Sequence, residues 1–136
     1  MVIENRPVNP PLLIFGKMEE LPAQYLRGIE LFNAGQFFES HEALEEIWAM
    51  SNGVEREFLS ALIQSAAALH HFRLGNLKGA SSVWRRAQNK LAALPRIILR
   101  LDTQDFAEQL ERFFDQILSR QNRIPSFPTI QLQDKQ

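Results

Sequence analysis

The amino-acid sequence predicts an all-α fold: a single small bundle of about five helices joined as helical hairpins, with an extended N-terminal arm and a C-terminal tail. Apolar residues recur at three- and four-residue steps through most of the chain, the period of one helix face. The breaks between these runs fall on glycine or proline, at Gly35, Gly53, Gly75 and Pro95. No alternating apolar–polar stretch of useful length for a strand is present.

Residues 1–20 read as an arm, because Pro7, Pro10 and Pro11 remove backbone donors and fix φ beside the apolar patch Leu12-Leu13-Ile14-Phe15. The helical domain is expected over residues 21–122. Its first helix begins near Pro22, carries Tyr25, Leu26, Ile29, Leu31 and Phe32, and stops at Gly35. A second helix covers Phe37 to Met50 and ends at Ser51-Asn52-Gly53. The third, about Val54 to Leu74, is apolar nearly all round, the pattern of a central buried helix. Gly75-Asn76 breaks it, and Asn76 suits the N-cap of a fourth helix reaching Leu94-Pro95. Gly79 within that helix costs about 1 kcal/mol against alanine, so it is expected to permit close helix packing. Asp102 or Thr103 caps a fifth helix that carries Phe106, Leu110, Phe113, Phe114, Ile117 and Leu118. The tail, 123–136, has two prolines and no helical period, and reads as an arm or a disordered segment.

The first two hairpin turns repeat. Helix, Gly35, two residues, Phe38-Glu39-Ser40 and helix matches helix, Gly75, two residues, Lys78-Gly79-Ala80 and helix at a displacement of 40 residues. Each unit is a tetratricopeptide-like helix pair closed by a glycine turn, although any helical hairpin needs such a turn.

At 136 residues and 45% apolar content the chain supports one core rather than two. The absence of cysteine excludes disulfides, thiolate metal sites and a cysteine nucleophile. Glu4 and Arg6 interrupt any secretory n-region, and no apolar run approaches a membrane span, so a cytoplasmic protein without membrane contact is expected. The net charge of −1 conceals three blocks. Residues 1–57 hold ten acids and four bases. Residues 58–101 hold seven bases and no acid, namely Arg73, Lys78, Arg85, Arg86, Lys90, Arg96 and Arg100, and residues 102–136 hold six acids and four bases. Such blocks can satisfy each other within the fold or across a homodimer interface. They can also attract an anionic partner, but no aromatics interleave the basic residues and the pI of 6.3 disfavours nucleic acid.

One segment concentrates chemistry. On the second helix Phe37, His41, Leu44 and Trp48 share a stripe, Glu45 stands one turn after His41, and Glu39, Glu42 and Glu46 point away. His41 and Glu45 therefore lie on or beside an apolar face, where an unpaired polar group is expensive. The third helix offers His70 in line with Leu59, Ile63 and Ala66, and His71 in line with Ser60, Gln64 and Ala67. If these helices are antiparallel, His70 and Arg73 approach the start of the second. No phosphate-binding loop or nucleophile elbow is present.

The stretch Phe37-Phe38-Glu39-Ser40-His41-Glu42-Ala43-Leu44-Glu45-Glu46-Ile47-Trp48 resembles the HxxxExxW signature of the prokaryotic "domain of unknown function 309" family, with His41, Glu45 and Trp48 on its three positions. Leu62-Ile63-Gln64, Ala66 to His71, and Gly75-Asn76 through Gly79-Ala80 are similar to the rest of the pattern, so the resemblance covers about residues 25–94. It implies a small helical bundle and metal binding by the His/Glu motif, with no established reaction.

Several functions fit these residues. One is a polar site in which His41, Glu45 and His70 hold a divalent metal ion or a small ligand, with Trp48 as a wall and Gln64, His71 and Arg73 nearby. The same groups also suit a buried structural hydrogen-bond network. A second function is a non-enzymatic interaction module that binds an acidic partner or nucleic acid through the basic third and fourth helices. A third is a metal-dependent hydrolase with Glu42 as base, which requires Glu42 to enter the pocket.

Overall fold

Helical periodicity and glycine punctuation act as local rules, and the computed structural model, which describes residues 20–119 and 125–134, follows them closely. The elements are α1 (Ala23–Asn33), α2 (Phe37–Trp48), α3 (Gly53–Arg73), α4 (Leu77–Ala92) and α5 (Thr103–Leu118). A minimal antiparallel hairpin, β1 (Ile97–Ile98) with β2 (Leu101–Asp102), lies between α4 and α5. Packing is sequential: α1 on α2, α2 on α3, α3 on α4 and α4 on α5. The arm expected over residues 1–20 lies, except for Glu20, outside the described residues.

The 40-residue repeat is real at the level of backbone hydrogen bonds. Gly35 N–H donates to the Phe32 carbonyl (3.0 Å) and Gln36 N–H to Leu31 (2.8 Å), while Gly75 N–H donates to Phe72 (2.9 Å) and Asn76 N–H to His71 (2.9 Å). Both turns are Schellman motifs, which place the residue after the C-cap in the left-handed region. Gly35 (φ 78°) and Gly75 (φ 82°) occupy it without a Cβ penalty.

α3 is the central helix. It buries Phe58, Leu59, Ala61, Leu62, Ala66, Ala68 and Leu69, which share one core with Tyr25, Phe32, Phe37, Leu44, Trp84, Leu91, Phe106 and Phe114. The close helix approach occurs at Gly28 rather than Gly79. A Cβ on Gly28 would fall 2.6 Å from Leu44 Cδ2, and buried Ser40 Oγ donates to the Gly28 carbonyl (2.8 Å) across the α1–α2 contact. Gly79 has a different task. Its missing Cβ makes room for the capping side chain of Asn76, whose Oδ1 accepts the Gly79 N–H at 2.9 Å. Asp102 caps α5 in the same way, accepting from Asp105 N–H at 3.0 Å. That bond, helped by Arg96, holds the Asp102 carboxyl below its ordinary range.

The β-hairpin turn is strained. Leu99 (φ 46°) and Arg100 (φ 66°) both take left-handed backbone, unusual without glycine or asparagine. Contacts remote in sequence hold it: the Tyr25 hydroxyl donates to the Leu99 carbonyl (3.0 Å), Gln133 N–H donates to the Arg100 carbonyl (2.7 Å), and Arg100 Nε donates back to the Gln133 carbonyl (2.6 Å). Burial pushes the Tyr25 phenol well above the ordinary tyrosine range, with the Arg100 charge opposing.

Residues 125–134 are non-helical and seated on the bundle. Ile130 is buried, and Asn33 clasps its backbone like a strand partner, donating to its carbonyl (2.8 Å) and accepting from its N–H (2.7 Å). Gln109 does the same for Thr129 at 3.0 and 3.2 Å. Phe127 stacks on Phe113 (centroids 5.3 Å) and meets Phe37 edge-on (5.2 Å).

Candidate functional site

The short connection 49–52 between α2 and α3 makes them antiparallel neighbours, so the start of α2 lies beside the end of α3. His41 therefore sits at the level of His70, and the Trp48 end of α2 lies toward the start of α3. The Glu45 carboxylate faces His41 across one turn, with Nε2 and Oε2 3.6 Å apart and side chains 28% and 52% exposed. That distance gives electrostatic orientation rather than a full hydrogen bond. The other ring nitrogen, Nδ1, is buried and has no hydrogen-bond partner. Gln64 on α3 shows the same condition, with Oε1 buried and unpartnered.

His41 and His70 are connected through an aromatic ring that sequence reasoning did not single out. Phe38 stacks on His41 (centroids 6.2 Å apart, planes 12° apart) and tilts against His70 (5.5 Å, 41°). It remains 47% exposed. A large aromatic on a helix face otherwise occupied by Glu39, Glu42 and Glu46 was the signal available. The second unforeseen residue is Arg56, whose guanidinium lies 3.8 Å from the Trp48 ring centroid and donates to the Trp48 (3.2 Å) and Ser51 (3.1 Å) carbonyls. Arg56 thus closes the C-terminus of α2 and covers the Trp48 ring.

Two expected members of the site are engaged elsewhere. His71 faces the α3–α4 turn, where the Asn76 amide nitrogen lies 3.1 Å from its Nδ1. Arg73 reaches back to the α1–α2 turn, donates to the Gly35 carbonyl and covers the rings of Phe37 (4.9 Å) and Phe127 (5.0 Å). Among the described residues no group of three or more His, Asp or Glu side chains is placed to hold a metal ion, so His41, Glu45 and His70 do not form a three-ligand set in this geometry. Glu42 is exposed and takes part in no ion pair among the described residues.

The basic block is largely absorbed by the fold. Besides Arg73, Lys90 pairs with Glu57 (3.2 Å), Arg96 with Asp102 (3.2 Å), and Arg100 with the Gln133 carbonyl. Lys78, Arg85 and Arg86 remain exposed on α4. Two grooves open away from His41: one of about 360 Å³ between α4 and α5, lined by Leu91, Leu94 and Ala107, and one of about 480 Å³ beside Phe127. No helix among the described residues is long and apolar enough to cross a membrane.

The model of a family described as "Domain of unknown function (DUF309)" matches residues 25–83. An uncharacterized protein of Aquifex aeolicus (strain VF5) is 35% identical over 65 residues, 47% of this chain, which spans only 20% of that relative's length. The crystal structure of a conserved hypothetical protein from Thermus thermophilus superposes with a TM-score of 0.61 at 33% identity, covering 69% of this chain and 97% of that one.

Proposed function

Because the chain belongs to the domain of unknown function 309 family, whose description names no reaction, we propose a function from its own residues: it binds a small polar ligand at the α2–α3 edge through His41, oriented by Glu45. The observation that carries this reading is the buried, unpartnered Nδ1 of His41. A carboxylate facing Nε2 favours the tautomer with its proton on that nitrogen, which leaves Nδ1 a bare acceptor. An unmatched buried acceptor costs about 1–3 kcal/mol, and a ligand hydroxyl, amide or ammonium donor would recover that cost. Gln64 Oε1, also buried and unpartnered, supports a ligand with donor groups. Phe38, stacked on His41, supplies an apolar wall. A divalent cation could use the same imidazole lone pair, with ligands from bound water completing its shell.

Nitrogen-15 NMR of the histidine side chains tests this, with the protein titrated by a small-molecule library rich in hydroxyl and amine compounds and, separately, by zinc. Binding predicts a change at His41 Nδ1 that is absent in Glu45→Ala or much weakened there. Elemental analysis of protein purified without chelator distinguishes the cation. If neither probe moves His41 and His41→Ala loses several kcal/mol of stability, the pair is a structural network and the proposal fails. Exposed Glu42 gives the hydrolase reading no support.

A further inference from the structure

Exposed residues at equivalent positions of the two hairpins carry opposite charge. At the 40-residue displacement Glu45 corresponds to Arg85 and Glu46 to Arg86. On α2, Glu39, Glu42 and Glu46 form one exposed stripe; on α4, Lys78, Arg85 and Arg86 form another, with Ser82 between them. The stripes are of similar length, about 10.5 Å from Glu39 to Glu46 and about 12 Å from Lys78 to Arg86 at about 1.5 Å per residue. Among the described residues neither stripe is neutralised. Glu39, Glu42, Lys78 and Arg85 take part in no ion pair, Glu46 only accepts from Gln24 (2.8 Å), and Arg86 reaches only Ser82 (3.5 Å). The four remaining bases of the basic block are already used inside the fold, which makes this separation specific to α4.

We propose that the α4 stripe of one copy of this chain docks on the α2 stripe of a second copy. Similar length and opposite sign make the two faces complementary, and a two-fold axis applies the contact twice, so the expected species is a closed dimer. Leu77, 45% exposed beside Lys78, adds apolar area at the end of the basic stripe. Exposed ion pairs are individually weak and screened by salt, so the dimer dissociates as ionic strength rises.

Sedimentation velocity at low and high salt tests the docking. The wild type is expected to dimerise at low salt and to lose at least tenfold in affinity at high salt. Glu39→Lys/Glu42→Lys, which makes both stripes basic, and Arg85→Glu/Arg86→Glu, which makes both acidic, should each remain monomeric. An equimolar mixture of the two variants should dimerise again, because every stripe then meets its opposite. A wild type monomeric at low salt, or dimerisation retained in either variant alone, overturns the proposal. So does a wild type that stays monomeric while its α4 stripe binds a labelled oligonucleotide or an acidic peptide. His41 is untouched by these variants, so failure here leaves the ligand site separately testable.

Discussion

The two helical hairpins share a backbone and differ in almost everything attached to it. Gln36 (φ −93°, ψ 75°) and Asn76 (φ −92°, ψ 79°) open their second helices at nearly the same dihedral angles, after Schellman turns with the same bonding pattern. Yet Phe37 is fully buried where its counterpart Leu77 is largely exposed. The first turn is covered from outside, by the Arg73 guanidinium and by Phe127 of the tail, and among the described residues nothing comparable covers the second. The second turn is stabilised from within, by the Asn76 cap, which Gln36 lacks. A glycine turn specifies the path of the chain, and the surroundings decide whether its flanking residues become core or surface. His41 and Glu45 occur only in the covered hairpin, where neighbouring helices and rings can desolvate an imidazole nitrogen.

Substitutions at paired positions can break this contrast. The largest difference is expected at the turn residues. Phe37→Ala should cost about 3–5 kcal/mol in urea denaturation, whereas Leu77→Ala should stay within about 0.5 kcal/mol; comparable losses would mean that the second turn is also covered. Next comes the helix approach. Gly28→Ala forces a methyl into Leu44 and should destabilise by about 1–3 kcal/mol even though alanine favours helix. Its counterpart is Ala68, already carrying that methyl in the core, and Ala68→Gly should lose about 1 kcal/mol from helix propensity and about 1 kcal/mol more from the buried methyl. A neutral Gly28→Ala would show that Leu44 can move aside.

The caps sharpen the comparison further. Asn76→Ala should cost about 1 kcal/mol, and Gln36→Ala no more than a few tenths, since it makes no side-chain capping bond. A histidine NMR shift confined to His71 should accompany the first, because Asn76 also bonds its Nδ1. The smallest effect is a pH dependence outside both hairpins. The Asp102 carboxyl is held low in the folded protein, so the unfolded chain binds its proton first. Its stabilisation is complete above the ordinary carboxylate pKa and is lost as pH falls through the depressed folded value. Asp102→Asn should flatten the acid limb of a thermal-stability profile, and an unchanged limb would remove Asp102 as its source.

Much of this was legible in the residues alone, for identifiable reasons. Helix positions follow from apolar period, and the N-caps at Asn76 and Asp102 from side chains that reach only three residues along the chain. The His41–Glu45 pair needs a single turn of helix. His71 and Arg73 were expected at the same site because sequence reports which helix a residue occupies but not which competing partner captures its side chain. Asn76 captured one and the Gly35 carbonyl, 38 residues away, the other. Gly28 gives no signal in the sequence because its role lies in a contact between helices, whereas Gly79 stands out through helix propensity and serves a local cap.

By itself, then, the sequence determined the helices, their glycine turns and caps, and the placement of a histidine and a glutamate one turn apart, since each depends on groups within a few residues of one another. Only the tertiary structure decided that the tail is docked, with Asn33 holding Ile130 from 97 residues away, that Leu99 and Arg100 adopt left-handed backbone, and that His41 keeps a buried nitrogen unmatched. Those features depend on which surfaces exclude water from which polar atoms, and that is settled when the helices pack.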